Sequence, residues 1–280
     1  MSSLVVLVVL AAAFCHAAWN TILKAQGDRL TVIAQINLLV GLLVLPILFF
    51  VPVVTSQSWP YLAASVALHT GYKVFLVRAY TAGDMSQVYP IARGAAPLIT
   101  AVATWLLIGE ILSLSGYLGV IAICMGLVAL TFLGPALKRR NYHATMWALA
   151  TACLIASYST VDGIGARLSG SPHGYACLLF VLDAVPITLI AIARRGHIAV
   201  LYPATGTWFS AVTGAGLSLV AFWAAIWAMT EAPIAAVAAL RETSVIFGLL
   251  LSTFILREPL GRTRIPAALC VVAGAVLLQL

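Results

Sequence analysis

Stretches of about 20 apolar residues recur along this chain with almost no charge inside them, and no other feature limits its fold so sharply. Each stretch is long enough to cross a hydrocarbon layer of roughly 30 Å as an α-helix, which satisfies its own backbone N–H and C=O groups. A soluble domain is excluded, because only 8% of the residues are charged and the mean hydropathy is +1.09; a water-facing fold carries roughly 25% charge. Breaks at charged, glycine and proline clusters place spans at about 3–24, 31–53, 60–81, 86–108, 115–134, 144–166, 174–193, 207–229, 234–255 and 265–280. The expected fold class is an all-α integral membrane protein of ten transmembrane helices, with almost nothing left for an extramembrane domain.

The formal charge of +7 and pI of about 9.4 do not indicate nucleic acid. The basic residues form short runs between apolar segments, as topology signals do, and no basic stretch interleaved with aromatics faces water. Cys15, Cys124, Cys153, Cys177 and Cys270 lie within apolar stretches, without a CxxC pair or a histidine spaced to join them. They read as small buried apolar residues, and no metal or cofactor is implied. The first apolar run lacks a basic leader and is long enough to span, so it reads as helix one rather than a cleaved signal.

Laying the second half on the first with a shift of 148 positions sets Ile108-Gly109-Glu110 on Leu256-Arg257-Glu258, Arg93 on Arg241 and Gly126 on Gly274. Two five-helix copies follow, 1–137 and 144–280. Five is odd, so the second copy enters the membrane in the opposite sense, an inverted repeat of the kind common in transporters. Lys24, Arg29, Lys138, Arg139, Arg140, Arg194, Arg195, Arg257, Arg262 and Arg264 lie in or beside odd-numbered loops, whereas even-numbered loops offer little beyond Arg167. Odd loops are therefore expected in the cytoplasm and both termini outside it.

The close of each half, LLIGEILSLSGYLGVIAICMGLVAL and FILREPLGRTRIPAALCVVAGAVLLQL, together with the first-helix segment HAAWNTILK, resembles the repeat of the drug/metabolite transporter superfamily, specifically its ten-span EamA group. The resemblance covers essentially the whole chain. It implies a central cavity between two five-helix halves, opened alternately to each side, and small organic metabolites such as amino acids as substrates.

A charge near a span centre costs about 2.5–3.5 kcal/mol on insertion scales, so each one needs a partner, a wet cavity or the headgroup level. In helix one, His16, Trp19 and Asn20 fall at i, i+3 and i+4 on one face. In helix three, His69, Tyr72 and Lys73 repeat that spacing, with Lys73 too deep to reach the headgroups. Helix four carries Tyr89 and Arg93, helix nine the matching Arg241, helix six Tyr158 and Asp162, and helix eight Trp223 and Trp227. These thirteen are the candidate substrate-binding residues. The competing readings are interhelical hydrogen bonds for His16 and Asn20, and an ion pair of Lys73 with Asp162 or Asp183. For Arg93 and Arg241 the competitor is pairing with Glu231, Glu242 or backbone carbonyls; for the two tryptophans it is packing. Glu110 and Glu258 read as turn or capping residues.

No nucleophile-base set, zinc motif or phosphate loop of a membrane enzyme is present, and no filter-like segment marks a channel. The expected function is a secondary transporter of a small polar metabolite, an amino acid or another carboxylate- or phosphonate-bearing compound. It would act in the plasma membrane, the bacterial inner membrane, most simply in export, as a monomer or weak homodimer with lipid and substrate as partners. Arginine's planar fork of donors suits such anions, and an expected excess of buried cations over buried anions points the same way. The alternative is an exporter of cationic or aromatic drugs, which would bind beside several fixed positive charges.

Overall fold

The computed structural model describes residues 1–24, 28–83, 85–132, 141–202, 208–255 and 264–280. Lys138, Arg139, Arg140, Arg257, Glu258 and Arg262 lie outside them, as do the side chains of Lys24 and Arg29. The described residues form α1 (Ser3–Lys24), α2 (Arg29–Val44), α3 (Trp59–Ala82), α4 (Met85–Ile108), α5 (Leu114–Phe132), α6 (Tyr142–Leu168), α7 (Pro172–Arg195), α8 (Trp208–Glu231), α9 (Ile234–Arg241), α10 (Ser244–Ile255) and α11 (Ile265–Leu277). No strand occurs among them. Each expected span is one helix, except the ninth, which is α9 followed by α10.

Seven segments are long and apolar enough to cross a membrane on those grounds alone, the joined Ile234–Leu251 among them. α5 and α11 are apolar but shorter. α3 is long enough, but His69, Tyr72, Lys73 and Arg78 reduce its hydropathy. Span two ends early as an α-helix: Pro46 falls in a 3-10 turn over Leu45–Phe49, since proline cannot donate the backbone bond a continuing helix needs. The starts of α6 and α7 are fixed locally. Asn141 Oδ1 accepts from His143 N at 2.9 Å, and Ser171 Oγ accepts from Gly174 N at 3.1 Å ahead of Pro172.

Helices from opposite halves pair antiparallel. α3 runs against α6, with Tyr61 beside Gly165, Gly71 beside Leu154 and Gly83 beside Ala144. α2 runs against α7, and α1 packs on α8. α5 crosses α11 through glycine: a Cβ on Gly119 would stand 2.8 Å from the Gly274 carbonyl, and one on Gly126 2.7 Å from that of Ala267. The 148-residue shift exchanges these two contacts, since 126 maps to 274 and 119 to 267. Cys270 Sγ meets the carbonyl of Ala122, its own repeat mate, at 3.2 Å, so the two-fold relation passes between them. The fold is thus two five-helix repeats of opposite sense. Small residues make the approach possible, as between α3, α4 and α6, where Ala79, Ala92, Ala96, Ala144, Ala148 and Ala152 are buried together.

Candidate functional site

A cavity of about 100 Å³ lies between the halves, walled by α1, α2, α3, α7 and α8. Its polar wall is built on Lys73 of α3. The Lys73 ammonium contacts Asp183 Oδ2 of α7 at 2.5 Å and donates to Asn37 Oδ1 of α2 at 2.9 Å. Asn37 is held by its own helix, donating to the Ile33 carbonyl at 2.7 Å. Asn20 likewise donates to the His16 carbonyl at 2.7 Å while lining the cavity. The apolar wall is aromatic: Trp19, Tyr72, Phe180 and Phe222. His69 completes the lining, stacked on Tyr158 with ring centroids 4.0 Å apart.

Behind His69 is a fully engaged carboxylate. Asp162 Oδ2 lies 3.0 Å from His69 Nε2, and Asp162 Oδ1 accepts from Ser65 Oγ and, at 3.3 Å, from the Tyr175 hydroxyl. This cluster joins α3, α6 and α7 on the even-loop side of the cavity. Farther toward that side, Thr55 donates its hydroxyl to the Leu168 carbonyl at 2.7 Å. Arg167 donates to the carbonyls of Met229 and Ala232 and to Glu110 Oε1, while Glu110 Oε2 accepts from Ile234 N at 2.8 Å. Glu110 therefore caps α9. On the other side the lining continues through Ile33, Leu76, Val77 and Tyr80 toward the odd loops.

A second, smaller cavity of about 10 Å³ adjoins the α9–α10 junction, lined by Arg93, Thr100, Tyr158, Ser159, Arg241 and Glu242 among others. Arg93 Nε contacts Glu242 Oε2 at 2.8 Å, and its guanidinium lies 6.0 Å from the Tyr89 ring centroid. Arg241 has its guanidinium 5.1 Å from the Phe222 ring centroid, and its Nη2 has no hydrogen-bond partner. Phe222 stands between the two cavities, against His16 and His69 as well.

The structure thus brings Trp19, Asn20, His69, Tyr72 and Lys73 to the larger cavity, and Arg93, Tyr158 and Arg241 to the smaller. His16, which accepts from Trp19 Nε1 at 3.3 Å, and Tyr89 sit beside them. Asp162 is one layer back. Trp223 faces away, donating to His173 Nδ1 at 2.8 Å, and Trp227 packs in the apolar core. Phe222, Asn37 and Ser218 line the larger cavity although the sequence reading did not single them out. An amide inside an apolar helix, two residues after Gln35, was the available signal for Asn37. Nothing marked Phe222 among its apolar neighbours. The expected excess of buried cations is not found: among the described residues the buried Lys73, Arg93 and Arg241 are equalled in number by the buried Asp162, Asp183 and Glu242. An uncompensated charge away from water is too costly to leave in number.

Fold and cavity define a membrane protein of two five-helix repeats enclosing a chamber with one polar and one apolar wall at their interface, the architecture of a transporter. The profile of the EamA-like transporter family matches residues 3–132 and 143–280, and the chain belongs to this family, within the drug/metabolite transporter superfamily. No curated protein matches the sequence. Among the solved structures that share the fold, a crystal structure aligns with a TM-score of 0.74, at 18% identity, over 99% of this chain and 96% of that one.

Proposed function

We propose that this chain is a secondary transporter that carries a small zwitterionic or carboxylate-bearing metabolite, an amino acid in the simplest case, across the bacterial inner membrane. Repeats 1–137 and 144–280 rock about the cavity to expose it to either side in turn. The observation that carries this reading is the Lys73–Asp183 pair in the cavity wall. A zwitterion can exchange that internal pair for two new ones, carboxylate on Lys73 and ammonium on Asp183, without leaving either charge unmatched in low dielectric. Trp19, Tyr72 and Phe222 then receive an apolar side chain. A cavity of about 100 Å³ suits a small solute better than a drug-sized one, for which pockets run to roughly 300–1,000 Å³.

The lining reaches from mid-membrane toward the odd loops, and the basic residues there support a cytoplasmic position for that side. Loading from the cytoplasm supports export. No catalytic step is part of this reading, and one chain supplies every wall of the cavity, so a monomer suffices.

Thermal unfolding of the purified protein against amino acids, simple carboxylates and aromatic cations tests the substrate class, because a ligand of the folded state raises apparent stability by mass action. Zwitterions should stabilise the wild type and not Lys73→Ala, and they should exchange in counterflow from loaded proteoliposomes. Stabilisation by cations alone would replace this reading with drug export.

A further inference from the structure

We propose that Arg241 is a binding site for a small monovalent anion, reached from the main cavity past Phe222. The internal repeat gives each half one arginine at the same place, Arg93 and Arg241, but only one of them receives a carboxylate. Glu242 pairs with Arg93, and the position matching Glu242 under the 148-residue shift is Gly94, which has no side chain to offer. Arg241 is 93% buried (relative exposure 7%), has no carboxylate within ion-pairing distance among the described residues, and leaves Nη2 unbonded. Its surroundings supply a ring face at Phe222 and a cavity of about 10 Å³ that it shares with the Arg93–Glu242 pair, space for one water-sized group. A guanidinium deprotonates under no ordinary condition, so burial leaves a permanent charge that an anion would complete.

That anion is either a free halide or the carboxylate end of the transported solute. The carboxylate case rests on the transport reading; the halide case does not. In that case the solute's carboxylate sits on Arg241 in place of Lys73, on the far side of Phe222 from the larger cavity.

The test uses the full chain in detergent, with HEPES replaced stepwise by chloride at constant ionic strength, and separately with glycine or glycinamide added. Unfolding temperature is read for wild type, Arg241→Gln and Arg241→Lys. The expected result is a saturable rise with chloride or glycine in the wild type, at least tenfold weaker in Arg241→Lys and lost in Arg241→Gln. Saturation by chloride identifies a free-anion site. Saturation by glycine, with neither chloride nor glycinamide effective, identifies the solute carboxylate. No saturable response to either anion, or an Arg241→Lys protein that binds as tightly as wild type, overturns the proposal even if Arg241→Gln does not fold. Glycine counterflow with unchanged KM in Arg241→Gln would remove the carboxylate role and leave the transport reading intact. Chloride binding without zwitterion transport would keep the free-anion site and remove the transport reading.

Discussion

Lys73 shows at the scale of one residue how a costly group announces itself. A cation in the middle of an apolar helix must have a partner, so the sequence alone placed Lys73 at a polar centre and named Asp183 as one possible mate; the structure joins them at 2.5 Å. Removing one member of such a pair strands the other, at about 3–5 kcal/mol, whereas removing both is far cheaper. Lys73→Ala and Asp183→Ala should each destabilise by that order, and the double variant by much less than their sum. Additive losses in the cycle would show that the two charges do not depend on each other. Phe222 and Ser218 were illegible for the opposite reason: in a helix apolar on every side, residue type does not say which face meets the cavity. Outside the membrane, burial raises the Asp28 carboxyl, but hydrogen bonds from Thr31 at 2.6 Å and Arg195 at 2.5 Å outweigh it and leave it below the usual range. A depressed carboxyl stabilises the fold above its unfolded value near 3.9 and loses that contribution as pH falls through its folded value. Both side chains are about 40% exposed, so solvent screening leaves only a few tenths of a kcal/mol. The unfolding-temperature gap between wild type and Asp28→Asn should therefore be small at pH 6 and shrink steadily as the pH falls below the ordinary carboxylate range; a gap that widens on acidification contradicts the assignment.

At the scale of elements, the break between α9 and α10 is what the sequence concealed. Residues 234–255 read as one apolar helix, because the short polar run Arg241–Ser244 and the pair Ser252–Thr253 carry neither proline nor a glycine cluster to break it. In the structure Glu242 N and Thr243 N bond to Ala239 O and Leu240 O, three residues back, and the Thr243 hydroxyl takes Leu240 O as well at 2.7 Å. A side-chain donor competing for a backbone carbonyl, together with tight three-residue bonding, turns the chain there and delivers Arg241 and Glu242 to the smaller cavity. The closing helices were more legible, since Gly126 and Gly274 match in the repeat, though only the structure shows that α5 and α11 touch through them. A methyl on Gly274 would lie 2.7 Å from the Gly119 carbonyl and 2.8 Å from Ile123 N, both backbone atoms that cannot step aside. Gly274→Ala should cost about 1–3 kcal/mol through forced separation of the helices. Gly216→Ala, with nothing within 4 Å of its added methyl, should be neutral or slightly stabilising by helix propensity. Equal unfolding temperatures for the two variants would show that the crossing is not tightly packed.

At the scale of the whole molecule, charge and packing bear on which way the transporter sits. Arg195, at the end of α7, bonds to Asp28 in the first loop, so loops one and seven share a side, as an odd-numbered set must. Arg78 is exposed near the odd-loop end of α3. Arg167, on the even side, is tied to Glu110 and two carbonyls, which leaves the even side with little free positive charge. Since insertion retains free basic loops in the cytoplasm, the bias toward odd loops inside is stronger than a count of arginines suggests. A reporter active only outside the cytoplasm, fused after Leu280, should be active, and Ser56→Cys in an even loop should react with an impermeant maleimide added to intact cells. A silent reporter on a well-expressed protein, with Ser56→Cys protected, would invert the molecule. The cavity would then open outward, and uptake would replace export as the direction that the geometry supports, with Lys73–Asp183 and Arg241 unchanged in their roles.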